Sequence, residues 1–311
     1  MRAAVSPDEH IPNSPRSETL RQRAGDWLFW GLPLFFLAFL FLPLLSDLSA
    51  AWRNDPNYSH GPIVPLAALG FAWMAYRYRS DEDADDDSYV DSWDVLLGFL
   101  LAVGALLAYL AAWFCGGAFF AIAALIIALL GVLTALGGRG LARRYGFATG
   151  FLIFMAPWPM VVYQRLAISM QNFVGTISSH LLDATGVPVF REGYLLHLPD
   201  YTMEIGAACS GLRQLTAVLA LAMALGYLSG RNWPFIVIVG LLAIPIAVAS
   251  NCVRVLATGW ILMIAGRRWA EGVFHTLEGL ASVAVAALIT VGVVWLLGRI
   301  EDAWILRREG A

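Results

Sequence analysis

The sequence contains no lysine; all 20 of its basic residues are arginine. That bias reads as base composition and carries no direct functional content. Charged residues of both signs make up only 14% of 311 positions, against roughly 25% in a soluble domain. The shortage excludes a conventional soluble enzyme, and an apolar share of 59% excludes a disordered chain. Cysteine is scarce too. Cys115, Cys209 and Cys252 are an odd number without CxxC or Cys/His ligand spacing, which disfavours a disulfide framework and structural zinc. No cofactor or metal is expected. A net charge of −3 and a pI near 5.9 leave no basic footprint for nucleic acid. Residues 1–26 are polar and lack a short apolar stretch followed by a small-residue cleavage site. The first hydrophobic run is therefore expected to stay in place as a helix.

What the chain has instead is long apolar runs, with a mean hydropathy of +0.68. They lie near 27–45, 61–77, 94–113, 118–136, 146–163, 211–229, 234–253 and 276–298. Each reaches or approaches the roughly 20 helical residues that cross a hydrocarbon core. The runs are continuously apolar, without the alternation of barrel strands, so the predicted fold is an all-α polytopic membrane protein of about eight spans. The fifth run contains Pro157 and Pro159, which predict a kink or break.

Arginine placement sets the expected orientation. Thirteen arginines fall on one side, including the N-terminal tail, Arg139, Arg143, Arg144, Arg231 and the C-terminal tail; 7 fall on the other. By the positive-inside rule the first side is cytoplasmic, with both termini inside. Arg267 and Arg268 sit on the disfavoured side. The expected organisation is a polar cytoplasmic tail (1–26), a transmembrane domain (27–298) and a short cytoplasmic tail (299–311). The acidic run at 80–94 reads as a solvated cytoplasmic loop, since it lacks the glycine and terminal glutamate of an EF-hand.

One outer connection is long, about 164–210. Its first half, YQRLAISMQNFVGTISSHLLDATG, has helical periodicity and is expected to lie along the membrane surface or on the bundle. Gly186 and Pro188 end it. Residues 189–207 alternate apolar and polar, which predicts a β-hairpin-like excursion before the sixth span.

Three reactive side chains share one expected depth at the outer boundary. Cys209 stands where the sixth span begins, Arg254 where the seventh ends and His275 where the eighth begins. Singly, each has an ordinary reading: a packing thiol, a snorkelling arginine, a solvated histidine. Together they match the nucleophile and base of thiol acyl transfer, with a guanidinium for the oxyanion. A helix N-terminus also favours the thiolate of Cys209. Ser210, Asn251 and His60 rank next: Ser210 beside the thiol, Asn251 as an orienter of Arg254 or a helix-end partner, His60 as a cap or substrate contact. Glu204 and Glu278 could pair with Arg254 or His275. His180 and His197 are expected at the surface, Cys252 as packing, and Cys115 without a base.

The stretch GVPVFREGYLLHLPDYTMEIGAACSGLRQL, followed by NCVRV and FHTLEG, resembles the exosortase/archaeosortase family; DPNYSHGPIVPLAALGFAW is similar to that family's early span. The resemblance covers roughly 27–298. It implies a cysteine-type membrane transpeptidase whose Cys, Arg and His fall on Cys209, Arg254 and His275. Implied partners are membrane-anchored proteins with a C-terminal sorting signal: a short motif such as Pro-Glu-Pro, one hydrophobic helix and an Arg-rich tail. An acceptor of unspecified chemistry and the lipid bilayer complete the set. The implied location is the bacterial inner membrane with the active site facing the periplasm. Many members carry a further extracytoplasmic domain after the last span, which is not expected here. The rival readings are a transporter, disfavoured by spans nearly free of central ionisable residues, and a non-catalytic scaffold for envelope or exopolysaccharide assembly. A metalloprotease is disfavoured because no HExxH occurs.

Overall fold

The computed structural model describes residue 31 and residues 35–78, 90–115, 117–199, 201–205, 211–266 and 273–309, with backbone alone at 115, 273–276 and 309. The N-terminal tail to residue 26, most of the acidic run, Arg267, Arg268, Cys209, Ser210 and the side chains of Cys115 and His275 lie outside the described residues.

Among the described residues, after a helical stretch at 35–40, eight helices and one small sheet follow. They are α1 (Leu42–Asn54), α2 (Ile63–Arg77), α3 (Ser92–Cys115), α4 (Ala118–Phe151), α5 (Met160–Ala184), α6 (Leu212–Leu228), α7 (Trp233–Ala265) and α8 (Val273–Glu309), with β1 (Phe190–Glu192), β2 (Leu195–Leu198) and β3 (Tyr201–Glu204) between α5 and α6. Among the described residues, four helices are long and apolar enough to cross a membrane: Ser92–Phe114, Ala118–Met155, Trp233–Ala265 and Leu277–Arg308. Large apolar side chains cover their outer faces, Phe114, Leu288 and Trp295 among them. Water would not leave such a surface open, whereas hydrocarbon does. The chain is a polytopic all-α membrane protein.

Several boundaries differ from those expected, each for a physical reason. The first run is not one helix over 27–45. A turn at Phe41, with Pro43 in the first turn of α1, interrupts it, and the helix then continues to Asn54. Proline is accepted in a first turn because those N–H groups have no intrahelical partner. The fifth run, 146–163, breaks at its prolines as expected: helix gives way after Met155 and α5 starts at Met160. A further break, not expected, falls at Gly137 and Gly138, and Gly138 takes φ 71°, a left-handed angle open to glycine. The limb beyond runs on through a 3-10 turn, Leu152–Met155, and Pro159 caps α5. Helix α7 does not end at 253; it extends to Ala265, so Arg254 lies within it. Residues 190–204 form a three-stranded antiparallel meander, one strand more than a hairpin, with Leu196 opposite Met203 and Arg191 opposite Leu196.

Three apolar clusters hold these elements. The first joins α1–α4 and reaches α6 and α7 at Ala220 and Ile236. The second packs α5 and the meander onto the C-terminal half of α7, through Val174, Leu182, Leu196, Ile205 and Val255. The buried stripe of α5, Ala167–Gln171–Val174–Ser178–Leu182, has the three-and-four spacing of one helix face. The third cluster ties α6, α7 and α8 through Val218, Val239, Ala243 and Ala286.

Candidate active site

Helix α6 begins at Gly211, and the sequence requires glycine there twice over. Its φ is +79°, and a Cβ would stand 2.9 Å from the side-chain Cγ and Nδ2 of Asn251 on α7. Asn251 is fully buried. The two helices therefore meet at Gly211, at an atom-to-atom approach that leaves no room for a side chain.

One turn beyond Asn251, Arg254 leans across to α8. Its guanidinium carbon lies 3.8 Å from where a Cβ on Gly279 would be. Gly279 is one helical turn after His275. A further turn along α7, the Thr258 hydroxyl donates to Glu278 Oε2 at 2.8 Å, within reach of the Arg254 carbonyl at 3.0 Å. Glu278, considered as a partner for Arg254 or His275, also accepts from Thr258.

In the other direction a buried polar seam locks three helices together. Gln214 of α6 accepts from the Ser282 hydroxyl of α8 at 3.0 Å and donates to the Ser282 carbonyl at 3.3 Å. Ser250 of α7 donates to the same carbonyl at 2.8 Å. The two serine hydroxyls stand 3.1 Å apart. Buried hydroxyls and amides are costly without partners, so sliding any one helix by a turn would leave several unmet. The seam sets the register of α6, α7 and α8, and with it the level of Gly211, Arg254 and Gly279.

The loop carrying His60 reaches the same end of α6. Arg213 Nε donates to Asn57 Oδ1 at 3.4 Å, and the Trp158 amide donates to the Tyr58 hydroxyl at 3.2 Å. Asp55 caps the intervening 3-10 turn by accepting from the Asn57 amide at 2.8 Å. Half-buried His60 lines a cavity of about 240 Å³ with Tyr58, Phe119, Phe154, Trp158 and Thr216. Burial holds its imidazole below the usual pKa, opposed by a hydrogen bond with the Phe154 backbone.

Of the expected site residues, Asn251 and Arg254 come together here, against the glycines that follow Cys209 and His275. Cys252 points the other way, buried in the cluster under α5 and the meander. His180 and Glu204 are exposed, and His197 is taken up by Thr202 at 2.9 Å and Glu192 at 3.3 Å on the meander. Sequence reasoning missed Gln214, Ser250, Thr258 and Ser282. Their signal was present: Ser250, Arg254 and Thr258 recur every four residues along an apolar run. No cluster of metal-ligating side chains forms among the described residues.

The family model described as transmembrane exosortase (Exosortase_EpsH) matches residues 52–292, which include His60, Cys209, Ser210, Asn251, Arg254 and His275. No curated protein and no solved structure matches the chain.

Proposed function

We propose, because this chain belongs to the transmembrane exosortase family, that it is a membrane-embedded cysteine transpeptidase. Its substrates are proteins anchored by a C-terminal sorting signal, which it cleaves near the signal motif and passes to an acceptor. Eight spans over 27–298 carry the site, and the Gly137–Gly138 break divides α4 into two of them. Tails at 1–26 and 299–311 are cytoplasmic, and the site faces the periplasm across the inner membrane.

The observation that carries this reading is the meeting of Gly211 with Asn251 and of Arg254 with Gly279. Two peptide units, at about 3.8 Å each, tether Cys209 to within roughly 8 Å of Gly211. His275 stands one turn, about 6 Å of rise, from the glycine beneath the guanidinium. These neighbours support the reading in which thiol, guanidinium and imidazole share one end of α6–α8.

The chemistry follows from those groups. His275 takes the Cys209 proton and the thiolate attacks the scissile carbonyl, forming a C–S bond. Arg254 donates to the oxyanion as it develops. Collapse expels the amine of the C-terminal fragment, which receives the proton from His275, and leaves a thioester on Cys209. An acceptor nucleophile, its proton taken by His275, then attacks the thioester and restores the thiol. Anchoring the substrate by its own helix makes the first step effectively unimolecular. Asn251, Ser210 and His60 support the site, Asn251 by fixing the start of α6.

Co-expression with a tagged substrate that bears a sorting motif, a hydrophobic helix and an Arg-rich tail tests this. The wild-type chain should produce a size shift. Cys209→Ala should abolish it while remaining in the membrane at normal abundance; persistence of the shift would exclude a cysteine nucleophile.

A further inference from the structure

A second site lies in the N-terminal half, where α1 passes the end of α3 and the start of α4. There a cavity of about 370 Å³ is lined by Asp47, Tyr109 and Trp113. Ala112, Gly117, Ala118 and Ala121 form its wall with little or no side chain, which leaves the space between the helices. Asp47 stands seven residues before Asn54 at the end of α1, and Tyr109 six before Cys115 at the end of α3, about 10 Å of rise in each case. Carboxylate and phenol thus share one level beneath the two helix ends, and they interact electrostatically.

The chain itself does not neutralise this carboxylate. Among the described residues, Asp47 has neither an ion pair nor a side-chain hydrogen bond, and the Tyr109 hydroxyl has no hydrogen-bond partner. The basic residue nearest in sequence to any residue of the lining is Arg53. Its guanidinium turns back to donate to the Ser49 carbonyl at 3.1 Å and the Ser49 hydroxyl at 3.3 Å. Ser49 is two residues from Asp47, on the opposite side of α1. Gly116 and the side chain of Cys115, which lie outside the described residues and adjoin the lining in sequence, carry no cation.

We propose that this cavity binds the primary ammonium headgroup of a zwitterionic membrane lipid. A carboxylate among lipid-facing helices is costly until a cation meets it. An ammonium supplies that charge with three N–H donors, enough for both Asp47 oxygens and the Tyr109 phenol oxygen. The Trp113 ring offers the cation an aromatic face in the same lining. A quaternary ammonium has no N–H for these acceptors, so the chemistry selects a primary amine. A lipid is favoured over a soluble amine by what borders the cavity. Leu42, Leu45, Leu110 and Phe114 are exposed on α1 and α3, and an acyl chain leaving the cavity would lie on them. Trp113 is exposed two residues before the end of α3, as indole side chains are at headgroup level. The site is independent of the cysteine chemistry proposed above.

Native mass spectrometry of the full-length chain in detergent tests the proposal, with titration of phosphatidylethanolamine and phosphatidylcholine of matched acyl chains and of free ethanolamine. Phosphatidylethanolamine should be retained roughly tenfold more tightly than phosphatidylcholine, as charge-assisted hydrogen bonds require. Asp47→Asn, which keeps the shape and removes the charge, should abolish that preference, while Asp47→Glu should keep most of it. Asp183→Asn, which removes an exposed acid on α5, should leave it intact. Equal retention of the two lipids by the wild-type chain, or an unchanged preference in Asp47→Asn, would overturn the site. So would an equal loss from Asp183→Asn, since that would mean general charge attraction. Displacement of phosphatidylethanolamine by an equal concentration of free ethanolamine would overturn the lipid assignment. If Asp47→Asn does not fold, the lipid comparison on the wild-type chain and on Asp47→Glu still decides.

Discussion

The two halves of the bundle are held together by different means. The N-terminal half, α1–α4, relies on shape. Gly98 and Gly131 let α3 and α4 approach until a Cβ on either would strike the other's backbone within 3 Å. Phe71 packs edge-on against Phe147 and Phe151, and Phe147 stacks across the boundary on Tyr227 of α6 at 4.0 Å. The C-terminal half, α6–α8, adds a seam of buried hydroxyls and an amide that names particular partners. In hydrocarbon, apolar contact gives close packing without strong preference for one register, while hydrogen bonds between helices are specific to a register. The half that keeps the specific contacts is the one that carries Cys209, Arg254 and His275. Stability and positioning are therefore separable in this molecule.

Substitutions in the two halves should break or sharpen that contrast. The largest effect on activity is expected from Arg254→Gln, which removes the proposed oxyanion donor. Substrate cleavage should slow by about 100- to 1000-fold with little change in thermal midpoint. Phe147→Ala should produce the largest loss of stability, about 3 kcal/mol, while the rate per folded molecule changes little. Gly211→Ala combines a left-handed backbone angle with the contact on Asn251. It should cost about 2 kcal/mol and also slow cleavage, and Asn251→Ala in the same chain should recover the part due to crowding. Ser282→Ala removes a hydroxyl that both donates to Gln214 and contacts Ser250. It should cost about 1–2 kcal/mol, yet reduce cleavage more than Phe147→Ala does. If the two variants affect rate and stability in the same ratio, the division between the halves is wrong.

The smallest expected effect is a pH dependence at His60. Burial lowers its pKa below the usual 6.5, so folding disfavours the protonated ring. Stability should be fully present above about 6.5 and decline as pH falls through the lower folded value. His60→Gln should flatten the thermal midpoint between pH 7 and pH 5, as measured by unfolding scans on purified chain.

Hydropathy alone located the apolar runs, because each is continuous and punctuated by polar turns. It placed the start of α6 and of α8 within a few residues. The break at Pro157 and Pro159 was readable, and the chain is non-helical there before α5. The second break, at Gly137-Gly138, was missed because a glycine pair inside an apolar run carries no proline-like signal. The same logic hid the length of α7: Asn251 and Arg254 read as the end of a span, but α7 continues to Ala265, and Thr258 beyond them meets Glu278 of α8. The sequence offers the candidate triad as three residue types expected at matching depth, and it stands as a proposal. The seam across α6–α8 was legible only in part: Ser250 shares a four-residue spacing with Arg254 and Thr258, whereas Gln214 and Ser282 stand singly in apolar helices.

The most direct measurement is a search for the covalent intermediate. Purified chain mixed with a sorting-signal substrate should be quenched in acid, digested and analysed by peptide mass. The peptide containing Cys209 should carry the mass of the upstream substrate fragment, and neutral hydroxylamine should release it, as a thioester requires. Complete substrate cleavage with Cys209 unmodified at every quench time, undiminished in Cys209→Ala, would contradict it.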